Sequence, residues 1–152
     1  MYLMRHGDAV TSDVDPARPL SEAGRQEVRR LAEFLDAAGM RVRRVVHSGK
    51  LRAEQTAELV AAAVAPGIPL ETDARLGPND PVEPWAREAS VWDQDTLIVG
   101  HLPFMGRLAG RLLTGREGPG IATFQSAGIA CLERGAGGQW SLAWMLGPEL
   151  LP

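Results

Sequence analysis

Two histidines and two arginines in this sequence have the types and positions that phosphoryl chemistry needs. Arg5-His6-Gly7 stands directly after the short apolar run Tyr2-Leu3-Met4, and Gly100-His101-Leu102-Pro103 directly after the apolar run 96–99. Arg52 lies in Leu51-Arg52-Ala53-Glu54-Gln55-Thr56. A neutral imidazole is a competent nucleophile near pH 7 when a hydrogen bond at its second nitrogen holds the correct tautomer. Guanidiniums stay charged and present paired donors that suit a tetrahedral oxyanion. His6 would then attack phosphorus while Arg5, Arg52 and His101 bind oxygens whose charge shifts in the transition state. A protonated His101 adds a donor, and the helix opening at Pro103 adds unpaired N–H groups and the positive end of its dipole. Gly7 lets backbone come close to the anion. Such a pocket needs neither a metal nor another cofactor.

Each piece alone has a plainer reading. An arginine-histidine pair after a strand is commonly just a polar sheet edge, and Arg52 can pair with Glu54 or Glu58 on a helix surface. The argument for a site is convergence: four residues on three separate segments meet at one edge only if the intervening elements bring three strand ends together.

The pattern supplies those elements. After a first strand at 2–4 and a polar, proline-bearing loop at 8–19, Ser21 is placed to cap a helix running to about Ala38. Val28, Leu31, Ala32 and Leu35 form its apolar face, and Gly39 stops it. Residues 42–46 read as a second strand, and Ser48 as the cap of a helix with Thr56, Leu59, Val60 and Ala63 on one face. Pro66-Gly67 ends that helix, and 68–70 reads as a short third strand. Asp80, Pro81 and Glu83 make an acidic start signal for a helix whose face carries Val82, Trp85, Ala86, Ala89 and Trp92. Residues 96–99 form a buried strand, followed by a helix from Pro103 with Phe104, Met105, Leu108 and Leu112 toward the core. Strands at 129–132 and 140–145 join through the Gly-rich turn 135–138 as a C-terminal hairpin. Strands alternating with helices predict a three-layer α/β/α fold with a mostly parallel sheet, in which ligands bind beyond the carboxyl ends of the strands.

Composition bounds the rest. The 152 residues are 45% hydrophobic and 23% charged with net charge −3, as expected for a single domain with a real core rather than a disordered or repetitive chain. The longest apolar run, 59–66, is far shorter than the roughly 18 residues of a membrane span, and only 1–4 precede the first charge, so neither a span nor a secretory signal is expected. A single cysteine, Cys131, points to a reducing, cytoplasmic compartment. The acidic balance gives no global attraction to nucleic acid or membrane; the local cluster Arg41, Arg43 and Arg44 reads as a solvated helix-to-strand connection. Trp85, Trp92, Trp140 and Trp144 read as packing residues, without the interleaved basic residues of a base-stacking platform.

Met4-Arg5-His6-Gly7-Asp8-Ala9, Arg18-Pro19-Leu20-Ser21, Leu51-Arg52-Ala53-Glu54-Gln55-Thr56 and Val99-Gly100-His101-Leu102-Pro103, in this order and ahead of the final hairpin, resemble the histidine phosphatase superfamily. The resemblance extends over nearly the whole chain and is nearest to the small phosphohistidine phosphatases of the SixA type, with the phosphoglycerate mutase-like fold. It implies His6 as the phosphorylated nucleophile, Arg5, Arg52 and His101 as its phosphate pocket, and hydrolysis of the phosphoenzyme by water. Mutases and many phosphatases of this fold supply an acidic proton donor, and here the region reads Leu76-Gly77-Pro78-Asn79-Asp80-Pro81. Asp80 is a candidate donor, although its cap signature already accounts for it, and Asp8 is a second acid within reach.

Without a dedicated acid the pocket suits a phosphorus–nitrogen bond, because imidazole leaves more easily than alkoxide, whose expulsion gains typically 10² to 10⁴ from general acid help. The expected substrate is therefore phosphohistidine on a protein, such as a histidine-containing phosphotransfer domain. The alternatives are a small-molecule phosphomonoesterase or mutase of the same fold, and a phosphate or phosphoprotein binding module without turnover. A metal site of His6, His47, His101 and Asp8 is disfavoured by the adjacent arginines. His47 reads as a strand-end residue, with membership of the pocket as the other possibility.

Overall fold

Side-chain alternation along each short apolar run divides the residues between two cores. In the computed structural model, which describes residues 1–118 and 121–151, Met4, Val45, Leu97 and Val99 face one side of a sheet, and Leu3, Val46 and Ile98 face the other. Both sets are apolar because helices cover both faces, so these strands read as continuous apolar runs rather than as alternating patterns. The strands are β1 (Tyr2–Arg5), β2 (Arg44–His47), β3 (Leu70–Thr72), β4 (Thr96–Gly100), β5 (Ile129–Arg134) and β6 (Trp140–Leu146). They lie in the order β3-β2-β4-β1-β5-β6.

Helices α1 (Glu22–Ala37) and α2 (Leu51–Val64) bury Val28, Leu31, Leu35, Val60 and Val64 in the first core. Helices α3 (Glu83–Ala89) and α4 (Phe104–Thr114) bury Trp85, Phe104, Met105 and Leu108 in the second. This is the expected three-layer α/β/α arrangement, with one correction to its sheet. The pairs β2–β3, β2–β4 and β1–β4 are parallel, but β5 runs antiparallel to both β1 and β6, so the sheet is mixed. The predicted hairpin accounts for the β5–β6 pair, since a short turn returns the chain only antiparallel.

Boundaries and caps also differ from the sequence reading, where a backbone group or a capping side chain is engaged elsewhere. β2 starts at Arg44 rather than Val42, whose N–H bonds the Val64 carbonyl at the end of α2. Ile68 closes a turn onto Ala65, which delays β3 to Leu70. Asp80 does not cap α3; its Oδ2 accepts from the Gly77 N–H at 2.7 Å, and the helix starts at Glu83 with no side-chain cap. Ser48 likewise does not cap α2, which has Lys50 at that position and no side-chain hydrogen bond.

Arg44 is part of β2 rather than of a solvated connection, and its guanidinium forks onto Glu71 at 2.8 to 3.1 Å. Arginines do lie over the indoles, contrary to expectation: Arg44 over Trp92, Arg75 over Trp85 and Arg134 over Trp140. The first two are ion-paired to Glu71 and to Asp73 and Glu88, which ties them to the fold. Among the described residues, no helix is long and apolar enough to cross a membrane.

Candidate active site

Strand register builds the site. Arg5 pairs with Gly100 and His47 with Val99, so the residues that follow, His6, Ser48 and His101, leave three adjacent parallel strands at nearly the same level. The His6 N–H donates to the Gly100 carbonyl at 3.0 Å, which fixes the first histidine beside the second. Their ring centroids lie 4.9 Å apart with a tilt of 57°. Arg5 is held from the far side, where Nη1 donates to the Phe124 carbonyl at 3.0 Å.

The first turns of α2 complete the pocket. Arg52 Nε donates to His6 Nε2 at 3.2 Å, and His6 Nδ1 lies 2.7 Å from the Gly7 carbonyl. The carbonyl accepts only, so the proton sits on Nδ1 and the lone pair on Nε2. Fully buried Thr56 joins the two segments, donating to the Arg52 carbonyl at 2.7 Å and accepting from the Gly7 N–H at 3.1 Å. Gln55 does the same for the loop before α1, accepting from the Leu20 N–H at 2.8 Å.

Both histidines are neutral over the physiological range. Burial pushes His6 down to about 4; its bond to Gly7 acts the other way, and Arg52, Arg5 and Arg18 add to the depression. Burial pushes His101 down to about 3, with His6, Arg52, Lys50 and Arg18 adding repulsion. The extra donor that a protonated His101 would add is therefore absent from the resting form, and an oxyanion must supply the charge that raises it. Arg18 joins this field from a left-handed backbone conformation at φ 50°, with its Nε bonded to the Val10 carbonyl at 3.2 Å.

The structure thus brings His6, Arg5, Arg52 and His101 together and directs the remaining candidates elsewhere. Asp8 is exposed, and its carboxylate accepts from Ser21 Oγ at 2.7 Å. The Asp80 carboxylate serves the Gly77 turn, with no hydrogen bond to the four pocket residues among those described. His47 is buried, accepts the Gly49 N–H on Nδ1 at 3.1 Å and has Nε2 3.4 Å from Thr72 Oγ1, so it holds the turn at Gly49 instead of entering the pocket. With His47 and Asp8 turned away, the four-residue metal set does not assemble.

Gly7 was expected to bring backbone against an anion, but its N–H is committed to Thr56. A Cβ there would lie 2.7 Å from Val28 Cγ2 and 3.2 Å from the Gly24 carbonyl. What requires glycine is the close approach of α1.

Two residues of the site escaped the sequence reading. Thr56 carried a signal, as a hydroxyl on an otherwise apolar helix face. Ser48 lies 2.6 Å from His101 Nε2; its signal was its register, since it leaves β2 level with the residue that follows Gly100 in the neighbouring strand.

The four side chains meet beyond the ends of parallel strands, and comparison with known proteins identifies the class to which the chain belongs. Residues 1–78 match the model of the histidine phosphatase superfamily (branch 1). The phosphohistidine phosphatase SixA of Escherichia coli (strain K12) is 30% identical over 97% of this chain and 93% of its own. A solved structure of the protein histidine phosphatase SixA complexed with tungstate superposes with a TM-score of 0.84 at 30% identity, covering 97% of this chain and 96% of that one. The alpha-ribazole phosphatase from Shigella flexneri shares the fold, with a TM-score of 0.74 at 18% identity over 97% and 96%. The chain belongs to the histidine phosphatase superfamily, and it is a phosphatase.

Proposed function

We propose that this chain, acting as a single histidine phosphatase domain (1–152), removes phosphate from phosphohistidine on a protein by way of a phosphoenzyme on His6. The observation that carries the reading is the tautomer of His6, whose Nδ1 is bonded to the Gly7 carbonyl while Nε2 presents its lone pair beside Arg52. Depression to about 4 keeps that lone pair free of a proton at neutral pH. An incoming phosphoryl group draws the Arg52 N–H onto its oxygens and releases Nε2 for attack. Nε2 forms a bond to phosphorus as the substrate's phosphorus–nitrogen bond breaks, and the departing imidazole leaves neutral once its other nitrogen has taken a proton from solvent. Water then attacks phosphorus, gives its proton to solvent and restores His6.

Arg5, Arg52 and His101 hold the phosphoryl oxygens throughout, and the dianion raises the His101 proton affinity so that it becomes a charged donor. No metal enters these steps. The carboxylates of Asp8 and Asp80 are engaged by Ser21 and Gly77, which leaves no acid prepared to protonate an alkoxide and favours a nitrogen leaving group. The substrate of SixA, as its name states, supports the same choice. A histidine-containing phosphotransfer domain or a similar phosphoprotein is the fitting partner. The buried, unpaired thiol of Cys131 accords with a reducing cytoplasm.

The test is phosphate release from a phosphohistidine protein against a panel of phosphate monoesters, with chelator present and His6→Ala as control. Faster release from the phosphohistidine protein is expected, together with an acid-labile, alkali-stable phosphoenzyme. His6→Ala should lose at least about 10³ in rate and all of the labelled intermediate. Faster turnover of the monoesters would assign the site to small molecules instead, and a site that binds phosphate without turnover would be a binding module.

A further inference from the structure

Ser48 is the buried residue beside the pocket that these steps leave without a task. It follows β2 directly, is 8% exposed, and its Oγ lies 2.6 Å from Nε2 of His101, itself 2% exposed. The Lys50 N–H approaches the same oxygen at 3.4 Å. The other ring nitrogen of His101, Nδ1, is buried and has no hydrogen-bond partner among the described residues.

A ring nitrogen pair has one proton to distribute when neutral and two when charged. The groups that act on His101 are His6 from the loop after β1, Lys50 and Arg52 from the start of α2, and Arg18 from the loop before α1. All are cations or neutral, so no carboxylate fixes the ring, and the serine hydroxyl decides the tautomer. A hydroxyl carries one donor and two acceptor sites. Toward neutral His101 it donates its hydrogen to the Nε2 lone pair, which leaves the ring proton on Nδ1. When Nε2 gains a proton the hydroxyl rotates and accepts from it. In both states Nδ1 keeps its N–H, and that is the donor with no other partner among the described residues.

We infer that Ser48 is a positioning residue for His101: its hydroxyl sets the Nδ1–H tautomer, so that His101 offers an oxyanion a donor in either charge state. A carboxylate at this place would make a salt bridge and cancel the positive charge that the transferring phosphoryl group calls for. A serine orients the ring without adding charge. The inference rests on the proposed phosphate pocket, yet it makes a claim about the resting protein that needs no turnover.

The direct measurement is the imidazole ¹⁵N spectrum of histidine-labelled protein at neutral pH, with His101 assigned by the loss of its signals in His101→Gln. Wild type should show a protonated Nδ1 and an unprotonated Nε2 at His101; the reverse assignment overturns the inference whatever any variant does. In Ser48→Ala the Nε2–H form should appear. Inorganic tungstate should then bind about tenfold more weakly, since the donor to the oxyanion is lost. Ser48→Thr, which retains the hydroxyl, should recover the Nδ1–H tautomer and most of the affinity.

The pH dependence separates orientation from general damage. The ratio of wild-type to Ser48→Ala tungstate affinity should shrink as the pH falls within the range where tungstate stays monomeric. The bound oxyanion raises His101, and a doubly protonated ring has an Nδ1–H without help, whereas a merely distorted pocket keeps the same ratio at every pH. A Ser48→Ala protein with the wild-type tautomer and tungstate affinity within twofold refutes the positioning role. Absence of a phosphoenzyme on His6 in wild type refutes the reaction proposed above and leaves the tautomer result standing.

Discussion

Helices α1 and α2 each begin close after a serine, and the two serines do opposite things. Ser21 caps α1, accepting the Gly24 N–H at 3.0 Å and donating to Asp8 at 2.7 Å. Ser48 precedes α2 by two residues more and gives its short bond to His101, while the helix starts without a side-chain cap. A cap is worth about 1 kcal/mol to a helix. α2 forgoes it and is held instead by burial of Ala53, Ala57, Val60, Ala61 and Val64, and by Gln55 and Thr56 reaching into the neighbouring loops. The difference follows from position: a hydroxyl level with the strand ends faces the pocket, and the same hydroxyl a loop away faces only its own helix.

The sharpest way to break this comparison is to disturb the helix start that carries no pocket residue and see whether the site notices. At Gly24, in the first turn of α1, an added Cβ would lie 2.8 Å from the Asp8 nitrogen and closer still to the Asp8 carbonyl oxygen. These are backbone atoms that cannot rotate aside, two residues from His6. Gly24→Ala should cost about 3 kcal/mol or more, since overpacking against backbone is relieved only by moving the loop. It should also lower kcat/KM, because the displaced segment holds the Gly7 carbonyl and with it the His6 tautomer. Urea unfolding and steady-state kinetics check both effects, and a wild-type midpoint would mean that α1 does not bear on the loop.

The sequence revealed the elements better than it revealed the loops between them. Periodicity located all four helices, and the ordered motifs picked out His6, Arg5, Arg52 and His101 before any geometry was available. Both cap assignments that failed, Ser48 and Asp80, failed for one reason. A side chain that can accept an N–H at a helix start can accept one from any nearby turn, or bond a histidine, and only the tertiary fold says which is in reach. Gly7 misled in the same way. Its motif pointed to an anion, while its missing side chain makes room for Val28 and Gly24 on α1. The sheet's antiparallel edge was implicit in the predicted hairpin and needed only to be counted.

The next effect is electrostatic and belongs to the pocket half of the comparison. His6 and His101 are neutral in the fold down to about 4 and about 3, whereas unfolded histidine takes up a proton near 6.5. Below that value the unfolded chain binds more protons than the folded one, so stability falls as the pH is lowered from about 6.5 toward 4. Each such histidine contributes up to about 1.4 kcal/mol per pH unit in that window. His101→Gln should therefore flatten the acid side of the stability profile. Because the two rings are 4.9 Å apart and His6 takes up its proton first, the charge on His6 depresses His101 and not the reverse, so His101→Gln should leave the titration of His6 near 4. A stability profile of unchanged slope would show that His101 takes up its proton as readily in the fold as in the unfolded chain, and the burial that keeps it neutral would then not operate.

The smallest effect is the one that isolates the two serines. Ser21→Ala removes the hydroxyl that accepts the Gly24 N–H, and the exposed Asp8 carboxylate turns to water at little cost, so the loss should be about 1 kcal/mol, or roughly 2–4 °C in Tm for a protein of this size. Ser21→Asp offers a cap acceptor of the right kind but sets a second carboxylate against Asp8. It should therefore recover less than a capping aspartate does elsewhere, and recover more as salt screens the repulsion. Neither variant should move the His101 nitrogen resonances that Ser48→Ala is expected to shift. If Ser21→Ala did move them, the caps and the pocket would be one coupled network reaching from α1 through Asp8 and Gly7 to His6. Ser21 would then count as a support of the site rather than of its helix alone.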